Sequence, residues 1–302
     1  MMRHEGEYAI AVRKNDGTVV VKKEEYKPVI PIEGIGNIPV LRGVGVFIDS
    51  LVVGMHCIFY SASVAEEEEE TVPSSEEERE RLEKKKKKED SLFMTFTIIL
   101  SVALTIGLFI LLPYVLAGLL RRAGCAEITV SAAEALLRVV IFLAYMLLIS
   151  RMKDIQTVFS YHGAEHKCIN CVENGYDLTV ENVLRSSRLH RRCGTSFLLF
   201  VIILSVIFFM ILGMFGITSA FWRIFLRILL IPLIAGISYE FIRLAGQSDH
   251  PAAALLSKPG LALQRLVTRE PDAAQAEVAI EAVEAVFDWR AYLDSIKEEN
   301  AG

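Results

Sequence analysis

Apolar residues fall into long blocks separated by polar stretches, and the lengths of those blocks predict the elements. Four blocks approach the roughly 20 apolar residues that cross a hydrocarbon core of about 30 Å: Leu92 to Leu120, Ala132 to Ser150, Ser196 to Gly216 and Phe221 to Phe241. The second contains Glu134 and Arg138, an i,i+4 pair near one end. The fourth opens with Arg223 and Arg227, whose long side chains are expected to snorkel to the interface. Upstream, YAIAVR and TVVVKK flank Asn15, Asp16 and Gly17, the signature of a β-hairpin with a tight turn. Ile38 to Tyr60 is apolar but carries Arg42, Asp49 and His56 at seven-residue steps. On a helix these form one stripe, so an amphipathic, interfacial segment is expected, its stripe facing either solvent or the active region.

Glu66 to Asp90 is a charged low-complexity linker in which Ser75 and Glu78 form a capping-box pattern. Lys84 to Lys88 stand just before the first span, suited to anionic lipid headgroups. After the fourth span, Pro271 and Asp272 are expected to start a helix with Ala276, Ala279, Val283, Val286 and Phe287 on one side. The expected division is 1–37 (β element), 38–60 (interfacial helix), 61–91 (linker), 92–150 (first transmembrane pair), 151–195 (cytoplasmic loop), 196–241 (second pair) and 242–302 (C-terminal helices). The expected fold class is mainly α: a four-span helical membrane protein with a small N-terminal β-hairpin element and cytoplasmic helices.

Composition changes this picture little. The chain of 302 residues is 53% hydrophobic, and its 23% charged residues occur in blocks, a membrane composition with polar ends. The formal net charge of -5 gives no reason to expect a nucleic-acid partner. Five scattered cysteines point to reduced thiols rather than a disulfide framework. The first residues lack an apolar run, so no cleavable signal peptide is expected. Orientation follows from the loops: Arg151 to Arg192 carries seven Lys and Arg, whereas the loop between the first two spans has only Arg121 and Arg122. Both termini are therefore expected on the cytoplasmic side of the membrane.

That loop holds the densest chemistry. Tyr161 to Cys171 reads YHGAEHKCINC, and HGAEH fits H-x-x-E-H, two histidines four apart on one helix face with an acid between them as general base toward water. Asn174 and Gly175 form a helix stop, so a helix from about Val158 to Glu173 is expected, with Gly163 weakening it by about 1 kcal/mol. At about 100° per residue, Glu173 lies within roughly 20° of His162 and His166, whereas Cys168 and Cys171 fall on the far side. The two cysteines are therefore expected to be packing residues. Thr179 is expected to cap a short helix, VENVLRSSRL, which delivers His190 and Cys193 to the same membrane face. His162 and His166 are the expected metal ligands, with a third from Glu173, His190 or Cys193, and Glu165 as general base. Arg188, Arg191 and Arg192 either enforce topology or bind a phosphate or headgroup. Glu240 is either functional or an arginine partner.

The stretches YHGAEHKCIN, LTVENV, SRLHRRCGTSF, ISYEFIRLAG and TREPDAAQAEVAI resemble the YqhQ-like family of bacterial multi-pass membrane proteins, a domain of unknown function whose members are predicted metal-dependent enzymes. The resemblance implies a bacterial inner-membrane protein with a metal site, and singles out His162, Glu165, His166, Glu173, His190, Cys193 and Glu270. Relatives usually carry a glycine-rich stretch ahead of Met1-Met2-Arg3, so further residues are expected before Met1. The function expected is metal-assisted hydrolysis, with a divalent metal, zinc by its donors, acting on a peptide or lipid-linked substrate at the bilayer surface. The alternatives are a non-enzymatic scaffold or assembly factor with a structural metal, and then a transporter or channel.

Overall fold

A computed structural model describes residues 1–29, 38–66, 92–190, 193–215, 217, 219–247 and 250–301. The linker features at Ser75, Glu78 and Lys84 to Lys88, and Arg191 and Arg192, lie outside the described residues. The chain divides into two compact units, one of residues 1–65, 145–205 and 231–302, the other of residues 66–144 and 206–230.

The first unit opens with a three-stranded antiparallel sheet: β1 (Met2–His4), β2 (Glu7–Arg13) and β3 (Val19–Glu25), in the order β1-β2-β3. The expected hairpin pairs Arg13 with Val19 and Glu7 with Glu25. Its turn is fixed by Asp16, which accepts hydrogen bonds from the Thr18 N–H and hydroxyl (2.8 and 2.6 Å), and by Gly17, whose φ of 89° suits a residue without Cβ. β1 is an addition, too short for its three residues to show a period.

α1 (Leu41–Glu66) follows, and its polar stripe meets protein along its length. Arg42 pairs with both carboxylate oxygens of Glu240, Asp49 accepts from the Tyr26 hydroxyl and the Val29 N–H (2.8 Å), and His56 lies 3.2 Å from Glu24. The side chains opposite remain bare: Leu51 is 54% exposed and Ile58 64%. At its start α1 touches a second helix backbone to backbone, since a Cβ on Gly43 would stand 2.7 Å from the Gly236 carbonyl oxygen. Asp49→Ala would leave the Tyr26 hydroxyl and Val29 N–H short of a partner, at a cost of about 1–3 kcal/mol. Thermal unfolding should show the loss, and an unchanged Tm would contradict this role.

The remaining helices are α2 (Leu92–Arg122), α3 (Glu127–Ile149), α4 (Lys153–Glu173), α5 (Val180–Arg185), α6 (Gly194–Met214), α7 (Ala220–Gln247), α8 (Pro251–Val267), α9 (Ala273–Glu284) and α10 (Trp289–Ala301). Among the described residues five helices, α1, α2, α3, α6 and α7, are long and apolar enough to cross a membrane, one more than the four expected. The addition is α1, whose apolar length alone qualifies it despite the stripe. The protein is thus mainly helical, built on membrane-length helices with a small sheet.

In the second unit α2 contains a π turn at Gly107–Leu111, followed by Pro113. Proline has no N–H for the carbonyl four residues back, which is that of Phe109. Arg138 Nε on α3 donates to this oxygen at 3.0 Å, and Arg138 Nη2 donates to Glu134 at 2.9 Å. Arg227 does not snorkel as expected. It is 5% exposed and donates to Glu134 at 2.8 Å, because α3 presents a buried carboxylate beside it. Arg223 reaches the Ile217 carbonyl and lies 3.7 Å from Glu127.

The first unit's core lies on one face of α4. Ala164, Cys168, Cys171 and Val172 pack with Val183 of α5, Ala276, Ala279 and Val283 of α9, and Trp289 and Leu293 of α10. α4 ends at Asn174 and Gly175 (φ 80°), and Thr179 caps α5 by accepting from the Asn182 N–H at 3.3 Å. Asp272 opens α9 in a capping box with Gln275. Cys168 and Cys171 are fully buried, and the Cys171 thiol donates to the Asp177 carbonyl at 3.4 Å, so both serve this core. Placing them there turns the histidine face of α4 elsewhere.

Candidate functional site

His162 and His166 stand one turn apart on α4 with ring centroids 4.3 Å apart. Each imidazole is held by a backbone carbonyl. His162 Nδ1–H donates to Val267 O at 3.0 Å, and His166 Nδ1–H donates to Arg188 O at 2.7 Å. Carbonyls only accept, so these partners place a proton on Nδ1, and each ring in its neutral form carries its lone pair on Nε2. Val267 is the last residue of α8, where helix carbonyls have no partner in their own helix.

Cys193, 5% exposed at the mouth of α6, completes the group: its sulfur lies 3.4 Å from His162 Nε2, and the Thr195 N–H donates to it at 3.4 Å. The ligand atoms of His162, His166 and Cys193 all lie within 4.8 Å of one another. Burial works against the Cys193 thiolate, but the hydrogen bonds and charge of the two histidines outweigh it and bring the thiol down to about 5. Burial likewise works against charged His162, yet its bond to Cys193 leaves its pKa above the ordinary value.

Gly163 has a reason beyond helix propensity. A Cβ there would stand 2.0 Å from the Arg269 carbonyl oxygen, and the Arg269 N–H donates to Phe159 O at 2.9 Å. Only a glycine lets the Val267-to-Arg269 segment lie this close to α4.

The other expected residues go elsewhere. Glu165 pairs with the terminal ammonium of Met1 and shares a cavity with His162. Glu173 and His190 engage each other at 3.2 Å, with the His190 ring 5.9 Å from that of His166. Glu173 has the angle of the histidines but sits seven residues beyond His166, about 10 Å along the axis. Glu240 is the partner of Arg42. Glu270 lies 2.9 Å from Lys167 and 3.4 Å from Arg188, whose guanidinium also donates to Thr268 O.

Two supporting residues were not anticipated. Lys167, 4% exposed, donates to the carbonyls of Leu184 and Ser186 at 2.9 and 2.7 Å. Gln264, fully buried, accepts from the His190 N–H and donates to its carbonyl at 3.0 and 2.8 Å. Together they pin the segment between α5 and α6 that carries Arg188 O, and a helix-face pattern carries no signal for such partners.

A metal fits this group on its donor chemistry. Two imidazole nitrogens and a thiol already disposed to lose its proton converge, and both rings are oriented through the opposite nitrogen, as metal-binding histidines are.

Several helices long and apolar enough to span a bilayer mark a helical membrane protein. The chain belongs to the family described as "Protein of unknown function (DUF1385)", which matches residues 38–289. It is 36% identical over 297 residues to the uncharacterized protein YqhQ of Bacillus subtilis (strain 168), covering 97% of this chain and 89% of that one. No solved structure matches.

Proposed function

We propose that His162, His166 and Cys193 hold a divalent metal, zinc by donor type, and that the protein is a metal-dependent hydrolase working at the cytoplasmic surface of a bacterial inner membrane. The observation that carries this reading is the convergence of three ligand atoms within 4.8 Å, with both imidazoles held by carbonyls. Three protein ligands are the number a catalytic zinc keeps, leaving one position for reactants. Bound there, the metal supplies Lewis-acid polarisation of a carbonyl or phosphoryl oxygen. Glu165, in the cavity beside His162, takes the proton of the attacking water. The Val267 and Arg188 carbonyls hold the two rings in register.

In this reading the chain spans the bilayer four times with both termini inside, and α1 is interfacial. The support is twofold: the basic connection between α3 and α6, and the occupation of the α1 stripe by Tyr26 and Val29 at Asp49 and by Glu24 of β3 at His56. The scaffold alternative rests on His190. Recruited as a fourth ligand, it would close the site and leave a structural metal.

Metal analysis of the purified protein should find roughly one zinc-type ion per chain, and close to none in a His162→Ala, His166→Ala double variant. Equal content in both would overturn the proposal. Glu165→Gln should keep the metal and lose the hydrolytic step, and intact turnover would remove Glu165 from its role.

Metal capture requires a thiolate and unprotonated imidazoles, which fixes the sign of its pH dependence. The Cys193 thiolate is in place above about pH 5, whereas the raised His162 proton must be displaced. Metal content should therefore be full in alkali, decline as pH falls through the His162 titration, and collapse below about 5. A single loss centred near the ordinary thiol value of 9.0 would contradict this electrostatic arrangement.

A further inference from the structure

We propose that the cavity beside His162 and Glu165 receives the hydrocarbon chain of a membrane lipid or lipid-linked molecule, so that the polar group attached to the chain meets the histidine end. The assignment of that end as the reacting end rests on the hydrolase reading above; the binding of the chain does not.

The cavity measures about 500 Å³, within the ~300–1,000 Å³ range of small-molecule sites. Its walls are chiefly apolar, with Ile58 from α1, Val158 from α4 and Val278 from α9 among them, and His162 and Glu165 mark a polar end. Arg13 also borders it, its Nη2 donating to the Ala274 carbonyl and Glu277 at 2.9 and 2.8 Å, with its buried Nε left without a hydrogen-bond partner.

Backbone accounting separates a lipid from a peptide. An extended peptide must satisfy an N–H and a C=O at each residue. The β2 residues lining this cavity, Ile10 to Arg13, pair with β3 alone, since β1 reaches only to Ala9, and the other walls are chiefly helices bonded internally. An inserted peptide could therefore pair along that one edge at most, and would leave its remaining polar groups unpaired against apolar side chains, at about 1–3 kcal/mol each. A hydrocarbon chain incurs no such cost.

The access route follows from α1. Its polar stripe is taken up by Glu240, Tyr26 and Glu24, so its bare face points away from the protein. Ile58 belongs both to that face, at 64% exposure, and to the cavity wall. A chain leaving the bilayer along α1 thus reaches the cavity over Ile58.

The test uses the full chain in nanodiscs containing a phospholipid with a photoreactive diazirine near the end of one acyl chain. Illumination should label peptides containing Ile58, Val158 and Val278, besides the lipid-facing surfaces of α2 and α6. Ile58→Asp and Ser61→Trp, both at exposed positions, should each reduce labelling at Val158 and Val278 about tenfold. Labelling of α2 and α6 should not change. The His162→Ala, His166→Ala variant should keep the label, so loss of the metal and loss of the chain read out separately. Absence of label at Val158 and Val278, or label there that neither variant reduces, would overturn the proposal. So would label from an apolar peptide carrying photoreactive leucine where the lipid gives none.

Discussion

Glu134→Ala is expected to destabilise the second unit by about 3–5 kcal/mol, because it strips two buried arginines of their shared counter-ion. Arg138 and Arg227 are 3% and 5% exposed, and each donates to Glu134, at 2.9 and 2.8 Å. The aromatic rings nearby cannot replace the carboxylate: Arg138 lies 4.5 Å over Phe209 and Arg227 5.0 Å over Tyr114, contacts worth about 0.5–2 kcal/mol. Detergent-titrated unfolding followed by circular dichroism reads the loss. A triple replacement by apolar residues of similar size should restore most of the stability, since no charge is then left buried. If Glu134→Ala unfolds like the parent, the charged group is hydrated and the packing described for α3 and α7 is wrong.

Gly163→Ala should reverse the usual sign of a glycine-to-alanine change in a helix. Propensity alone favours alanine by about 1 kcal/mol. Here the new methyl would stand 2.0 Å from the Arg269 carbonyl oxygen, and a backbone atom cannot swing aside as a flexible side chain does. Overpacking of this kind costs about 1–3 kcal/mol or more. The segment that must give way also carries Val267 O, the hydrogen-bond acceptor of His162. The variant should therefore lose metal affinity about 10- to 100-fold, the usual effect of disturbing a ligand's orienting partner. Calorimetry and metal titration on one preparation test both effects. A higher Tm with unaltered affinity would show that α4 and the Arg269 segment do not touch.

Much of this architecture was legible because it depends on local chemistry. Asn15-Asp16-Gly17 specified the hairpin, Asn174-Gly175 the end of α4, Thr179 and Asp272 the starts of α5 and α9, each through groups within a few residues. The angular argument on α4 separated the histidine face from Cys168 and Cys171, which lie in the core. It misplaced Glu173 because angle ignores height along the axis. Arg227 was misjudged for a related reason: a snorkelling side chain and one paired across helices look alike until the partner helix is in place. The span count differs because length and apolarity qualify α1, while the partners of its polar stripe come from β3, the segment after it and α7. Backbone acceptors such as Val267 O and Arg188 O leave no mark in a sequence at all.

The carbonyl that orients His162 lies 105 residues downstream of it. During synthesis from the N-terminus, both histidines and Cys193 therefore emerge well before α8, and until α8 docks the His162 ring is free to turn. A nascent chain has all three donor residues but only part of their geometry, so in the proposed metal-binding role full affinity would be acquired late, after α7 has been made. The centre would then report completion: a chain that stalls or misinserts before Val267 would hold its ion weakly and exchange it freely.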